Sequence, residues 1–186
     1  YRSNEKGQYL YPRYELFKQI VSVYRTTGET APIFNDKHLS WNWDWCQEMY
    51  DLSKELDFAF MAGSSLPVTW RTPSIEMPLG AEVEEAVCVC YGGVDSYDYH
   101  GLETMQCMVE RRKGGESGVK WLQAYRGDAF WQALSDGVWS RELMDAGLSR
   151  SHTLSQARPG FNDVFPTVDE MKQLCKDPVA YVYEHI

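Results

Sequence analysis

Apolar residues recur with helical spacing in two segments of the first third of the chain. These segments, residues 14–24 and 40–57, predict amphipathic helices, and Ser40 is the expected N-cap of the second. Two short apolar runs, residues 31–34 and 58–62, follow these helices and predict strands. Short apolar strands that alternate with amphipathic helices are typical of a parallel, helix-covered sheet.

The pattern changes after residues 67–80, which contain three prolines and a glycine without any period and predict a domain connection. Residues 82–91 divide between two strand faces, which predicts a strand. One face would carry Val83, Glu85, Val87, Val89 and Tyr91, and the other Glu84, Ala86, Cys88 and Cys90. A helix over residues 99–112 and a strand over residues 119–125 are predicted next. Further helix starts are predicted at Asp128, at Ser140 and at a capping box from Thr167 to Glu170, with an exposed loop over residues 149–163.

Composition narrows the classes of partner. The chain has 186 residues with 18 Lys plus Arg against 27 Asp plus Glu, a formal net charge of −9, so a surface that binds nucleic-acid phosphates is not expected. No apolar run approaches the ~20 residues of a membrane span, and the first residues lack the apolar core of a signal peptide. We therefore expect a cytoplasmic protein with a small-molecule partner, and leave open an upstream export signal and a homo-oligomer.

The five cysteines suggest packing rather than metal binding or disulfide bonds. Cys88 and Cys90 form a C-x-C pair that would share one strand face, but no second pair or nearby histidine pair accompanies them. The chain also starts without Met in a polar stretch, so we expect a fragment of a longer protein.

The first candidate for chemistry follows the predicted strand at residues 31–34. Asn35, Asp36, Lys37 and His38 lie where a parallel sheet binds ligands, outside the carboxyl ends of its strands. A lysine beside an acid and a histidine can donate a proton or stabilise an oxyanion. An equally open interpretation is an ordinary turn with a solvated lysine.

The second candidate surrounds the start of the helix at residue 99. His100 and Glu103 are three residues apart and share a helix face, with Tyr97 just before them. Histidine has the side-chain pKa closest to working pH, although a histidine at a helix start can also be purely structural.

The third candidate is Ser64 and Ser65, in a small polar turn after the predicted strand at residues 58–62. Such a turn can approach a ligand closely or can simply connect two elements. No glycine-rich phosphate loop, G-x-S-x-G, H-E-x-x-H or EF-hand pattern occurs in the chain.

Several of these runs resemble the glucose-fructose oxidoreductase / inositol dehydrogenase (Gfo/Idh/MocA) family. Residues 32–40 (PIFNDKHLS) and 58–63 (FAFMAG) look like the last third of its nucleotide-binding domain, where a strand ends in a Glu-Lys-Pro motif. Residues 99–103 (YHGLE) resemble its His-x-x-Asp helix in the second domain. Residues 61–71 and 106–112 look like uncharacterised bacterial proteins of unassigned function.

The resemblance implies an α/β fold class: the C-terminal part of a Rossmann-like parallel sheet followed by an α+β second domain. Residues 1–66 would be the end of the nucleotide-binding domain, residues 67–82 the connection, and residues 83–186 an incomplete substrate-side domain. NAD or NADP would be the cofactor, with its main binding motif outside this chain.

The resemblance also implies roles for single residues. Lys37 would match the catalytic lysine, Asp36 the acid before it, and His100 the histidine beside the substrate. Two positions depart from the pattern: His38 replaces a proline, and Ser96 stands where an aspartate usually precedes the histidine by four residues.

Three functions follow as hypotheses. The first is an NAD(P)-dependent oxidoreductase of this type acting on a sugar-like or polyol hydroxyl, with Asn35, His38, Ser64, Ser65, Tyr97 and Glu103 around the substrate. The second is a non-catalytic homologue that binds a metabolite or sugar. The third is a metal-dependent enzyme using Asp36, His38 and His100, with Glu103 as a further ligand, since these offer mixed nitrogen and oxygen ligands.

Overall fold

A computed structural model describes residues 2–71, 74–149 and 166–186. The chain divides into two compact units, the first formed by Tyr1–Pro73 with Gly92–Glu103 and the second by Ser74–Tyr91 with Thr104–Ile186. Both helices and strands are present, and the sheets are small. None of the described helices combines the length and the apolar character that crossing a membrane requires.

The first helix of the first unit, α1, spans Arg13–Thr27. Phe17 and Val21 lie one turn apart on its buried face. Gly28 ends the helix with a left-handed backbone (φ 75°) and donates its N–H to the carbonyl of Tyr24 at 2.8 Å. The predicted helix is therefore confirmed, including the glycine that ends it.

The second helix, α2, spans Trp43–Glu55 and begins later than predicted. Its N-cap is Asn42, whose side-chain oxygen accepts the backbone N–H of Trp45 at 3.2 Å. The prediction of Ser40 as cap is wrong, because Ser40 instead accepts the N–H of Asn42 at 3.3 Å and shapes the turn before the helix. Asn and Ser are about equally good caps, so spacing alone could not separate them.

Two parallel strands flank α2. Strand β1 (Ile33–Asp36) pairs with β2 (Phe60–Gly63), with Ile33 opposite Phe60 and Asp36 opposite Gly63. This arrangement is a β-α-β unit, and it confirms that the two apolar runs are neighbouring parallel strands. The sheet of the described residues in this unit has two strands, so a complete Rossmann fold stays a prediction.

The hydrophobic core of the first unit lies between these helices and strands. Its buried members are Phe17, Val21, Met49, Leu52 and Phe58. The rings of Phe17 and Phe60 lie 5.2 Å apart in a tilted contact, so the first residue of β2 packs directly on α1.

The second unit is built around an antiparallel pair of strands. β3 (Val119–Arg126) pairs with β4 (Val179–His185), with Leu122 opposite Tyr183. The helices described within this unit are α4 (Asp128–Ser135), α5 (Arg141–Ser149) and α6 (Val168–Leu174). A further helix, α3 (Tyr99–Val109), contains the division between the two units, which falls after Glu103. The capping box from Thr167 to Glu170 is present as predicted.

One prediction for this part of the chain is wrong. Residues 82–91 do not form the predicted strand in the part of the chain that the structure describes, where β3 pairs with β4 instead. The compact units divide the chain differently from the predicted domains, since residues 92–103 group with the first unit. The predicted loop over residues 149–163 lies almost entirely outside the described residues.

Met49 provides a direct test of this core, because its side chain is fully buried (0% exposed). We expect Met49→Ala to lower the free energy of unfolding by about 2–5 kcal/mol, the usual cost of emptying such a site. Met61→Ala is the control, since Met61 is 50% exposed and should cost much less. Urea denaturation of both variants measures the difference, and equal losses would contradict this assignment of the core.

Candidate functional site

A pocket of about 190 Å³ opens at the carboxyl end of β1. All the residues that line it belong to the first unit. They are Tyr11, Lys37, His38, Asp95, Ser96, Tyr97, Tyr99 and His100. The pocket therefore joins two of the predicted candidate segments, the one after β1 and the one at the start of α3.

The end of β1 holds Lys37 in an unusual conformation. Its backbone is left-handed (φ 67°), which is costly for a residue other than glycine, and its N–H donates to the carbonyl of Gly63 at 2.9 Å. The Lys37 ammonium lies 3.6 Å from the carboxylate of Asp36, and both side chains are partly exposed. The amide of Asn35 closes the turn by donating to the carbonyl of His38 at 3.1 Å.

His38 is enclosed by aromatic rings and a guanidinium group. Its ring makes edge contacts with Tyr11 and Tyr99, at centroid distances of 6.3 and 5.9 Å. Nη1 of Arg13 lies 3.4 Å from Nε2 of His38, and an arginine can only donate, so Nε2 is the accepting nitrogen. Burial, followed by the charge of Arg13, lowers the pKa of His38 below its ordinary value of 6.5, which favours a neutral ring.

The opposite wall comes from a π-helical turn, Val94–Asp98, that runs directly into α3. Such turns often occur at functional sites because they shift the side chains that follow. Gly92, just before it, has a positive φ of 133°, and a Cβ built there would lie 2.3 Å from the ring of Tyr97. Only glycine at position 92 allows Tyr97 to take this place.

The N-terminal segment contributes the remaining wall. The carboxylate of Asp95 accepts the backbone N–H of Tyr9 at 2.9 Å, across 86 residues of sequence. Tyr9 also forms an isolated antiparallel β-bridge with Ser3. Two residues after Tyr9, Tyr11 lines the pocket. The guanidinium of Arg13 stacks over the ring of Tyr11, with 4.3 Å between its carbon and the ring centroid.

Ser64 links the turn after β2 to the first turn of α3. Its hydroxyl oxygen lies 2.5 Å from Nδ1 of His100, and its backbone N–H donates to the carboxylate of Glu103 at 2.6 Å. Glu103 also holds the hydroxyl of Tyr99. Burial, then the charge of Glu103 and this hydrogen bond, raise the pKa of Tyr99 to about 12, so the phenol stays protonated at neutral pH.

The predicted residues take different positions. Lys37, His38, Tyr97 and His100 line the pocket. Four others do not line the pocket but contact its lining residues directly or through Ser64: Asn35, Asp36, Ser64 and Glu103. Ser65 is exposed and does not line the pocket, so the structure gives no support for its predicted contact with substrate.

Sequence reasoning missed four lining residues: Tyr11, Asp95, Ser96 and Tyr99. Tyr99 and Asp95 are close in sequence to His100, and a search of the residues around that histidine would have found them. No local signal marks Tyr11, because a contact 86 residues away anchors its segment.

Metal binding receives no support from the geometry. Within residues 2–71, 74–149 and 166–186, no three His, Cys, Asp or Glu side chains converge as a metal ion requires. Of the five cysteines, Cys90 and Cys175 are exposed, while the other three are half-buried.

Comparison with known proteins identifies no relative. No protein-family model matches the chain, and neither the curated proteins nor the solved structures contain a significant match. The function must therefore be inferred from the geometry of the pocket and from the sequence itself.

The left-handed backbone of Lys37 predicts an unusual response to glycine. We expect Lys37→Gly to leave the free energy of unfolding within about 1 kcal/mol of the original, because relief of the positive φ offsets the greater freedom of the unfolded glycine. Lys54→Gly, inside α2, should cost about 1 kcal/mol as an ordinary helix substitution. Lys37→Val should cost more than either, since a branched side chain tolerates positive φ poorly. Urea denaturation measures the three losses of stability. A loss in Lys37→Gly as large as that in Lys37→Val would contradict this account.

The lowered pKa of His38 predicts a pH dependence of stability. The unfolded chain binds a proton at His38 near pH 6.5, whereas the folded chain resists it, so stability falls as the pH drops below about 6.5. We expect the fall in melting temperature between about pH 7.5 and pH 5.5 to be smaller in His38→Gln. An identical fall in both proteins would show that the folded and unfolded chains bind this proton equally well.

Proposed function

We propose that this chain forms the substrate side of an oxidoreductase active site of the Gfo/Idh/MocA type, acting on a hydroxyl group of a sugar-like molecule or polyol. The observation that carries the proposal is that Lys37 and His100 line one pocket. They come from separate elements, the end of β1 and the start of α3. These are the two residues that the sequence resemblance assigns to proton transfer.

The two side chains suit the oxygen of a substrate hydroxyl. The Lys37 amine can take the proton of that hydroxyl, and the ammonium so formed stabilises negative charge on the oxygen. The partial exposure of Lys37 leaves it accessible from the pocket. His100 is oriented through Nδ1 by Ser64, which holds its ring in a single direction. Two oriented polar groups around one small space are the arrangement that acid-base chemistry on a hydroxyl requires.

The remaining walls suit a small hydroxylated molecule. The rings of Tyr11, Tyr97 and Tyr99 provide flat apolar surfaces that also carry hydroxyl groups. Asp95 and Ser96 add oxygen acceptors. A volume of about 190 Å³ is below the range of drug-sized ligand pockets, which favours a compact substrate.

NAD or NADP is the hydride acceptor that the resemblance implies. The sequence has no glycine-rich turn before a helix, which is what holds the pyrophosphate of such a cofactor, so these residues do not fit the main part of that site. No step of the proposal is therefore routed through the cofactor. The part of the chemistry assigned here is the binding and polarisation of the substrate oxygen.

A non-catalytic binding protein is the second candidate, and one observation favours it. Ser96 occupies the position at which the resemblance expects an aspartate four residues before His100. A serine cannot supply the negative charge that would strengthen the histidine as a base. The two functions make different predictions for turnover.

Turnover separates the candidates. We expect the full-length protein to oxidise at least one member of a panel of sugars and polyols in the presence of NAD⁺ or NADP⁺. In the same protein, Lys37→Met and His100→Gln should each lower kcat/KM by about 10²–10⁴-fold. Lys54→Met, on the exposed face of α2, should leave turnover unchanged. Binding of a sugar without turnover would instead support the non-catalytic function, and full turnover in both variants would refute the roles of Lys37 and His100.

A further inference from the structure

We infer that Ser64 is a positioning residue that fixes the tautomer of His100, so that the ring proton is carried by Nε2. Neutral His100 then acts toward a substrate oxygen as a hydrogen-bond donor, and the proton of an oxidised hydroxyl passes to the amine of Lys37. The catalytic consequence rests on the proposed function, whereas the tautomer itself can be measured independently of it.

The hydrogen bonds at the Ser64 hydroxyl point to this tautomer. A serine hydroxyl has one hydrogen to donate and two lone pairs to accept with. One lone pair accepts the backbone N–H of Leu66 at 3.1 Å. The neighbour that can accept the hydroxyl hydrogen is Nδ1 of His100, at 2.5 Å.

Burial makes the alternative tautomer unfavourable. Ser64 is only 7% exposed, so water has little access to its hydroxyl. If Nδ1 of His100 carried the proton, it would donate to the serine oxygen, and the serine hydrogen would have no acceptor among the described residues. A buried donor without an acceptor is costly, which favours the hydrogen bond from Ser64 to Nδ1.

Ser64 is itself held rigidly enough for this role. Its backbone N–H donates to Glu103 at 2.6 Å, and Glu103 also binds the phenol of Tyr99. Glu103 and His100 are three residues apart on one face of α3. One turn of this helix therefore contacts both the backbone N–H and the side-chain hydroxyl of Ser64. Glu103 thus acts on His100 through Ser64.

This tautomer determines which of Lys37 and His100 can accept the proton of a substrate hydroxyl. A neutral imidazole has one accepting nitrogen, and Ser64 occupies it from behind. The ring therefore offers its N–H, and the lone pair needed to accept a hydroxyl proton is already used. A serine behind the ring also explains how His100 is oriented although Ser96 replaces the expected aspartate.

Nuclear magnetic resonance of the ¹⁵N-labelled chain tests the tautomer directly. Long-range ¹H–¹⁵N correlations at about pH 8, above the ordinary histidine pKa of ~6.5, show which ring nitrogen is protonated. The chain has four histidines, and the signals that disappear in His100→Gln belong to His100. We expect Nε2 to be protonated, and protonation at Nδ1 would overturn the inference.

Two serine substitutions test whether Ser64 is the cause. In Ser64→Ala the ratio of the Nε2–H to the Nδ1–H tautomer should fall about five- to tenfold, the factor that one net hydrogen bond contributes. Ser65→Ala, at the exposed neighbour, should leave the ratio unchanged. If Ser64→Ala does not fold, Ser64→Cys replaces it, since a thiol is a weak donor and should also lower the ratio.

An unchanged ratio in the folded Ser64 variant would show that another group sets the tautomer. This result is distinguishable from failure of the proposed function, because the spectrum requires neither substrate nor cofactor. A protein without turnover can still show the Nε2–H tautomer, and an active protein can still show the other one.

Discussion

The pairing of β1 with β2 determines where Lys37 and Ser64, the two residues on which the candidate site depends, can lie. Parallel strands end at the same edge of a sheet, so the turn after β1 and the turn after β2 emerge side by side. One more hydrogen bond, from Lys37 to the carbonyl of Gly63, extends the pairing beyond the strands. It holds Lys37 in its left-handed conformation and places Ser64 beside the start of α3. A slip in register by one residue would separate these groups.

The local sequence pattern was sufficient to predict the two strands of this pair and the helix that packs against them. Strands β1 and β2 were predictable because each is a continuous apolar run between polar turns, and α1 because its apolar face ends at Gly28. The 82–91 segment shows the limit of this reasoning. Its residues divide between two faces as in a strand, but a strand forms only by pairing with another strand. Here β3 pairs with β4, which lies more than fifty residues farther along the chain.

The candidate site was predictable to the same extent. Lys37 and His100 stood out as titratable residues at element ends, and the structure brings both to one pocket. What spacing could not supply was the set of supporting contacts, since the hydrogen bonds of Ser64 to His100 and Glu103 cross 36 and 39 residues. The same holds for Tyr11, whose position depends on the hydrogen bond from the backbone N–H of Tyr9 to the carboxylate of Asp95.

The contact between Tyr9 and Asp95 has a practical consequence for work on this protein. Residues ahead of α1 resemble a dispensable tail in the sequence, and such tails are commonly trimmed to aid crystallisation. Here, removal of the first dozen residues would delete Tyr11 and leave the carboxylate of Asp95 without the N–H that it binds. A shortened protein could fold around an intact core and still have lost one side of the pocket. A binding test of the proposed function should therefore use a chain that keeps these residues.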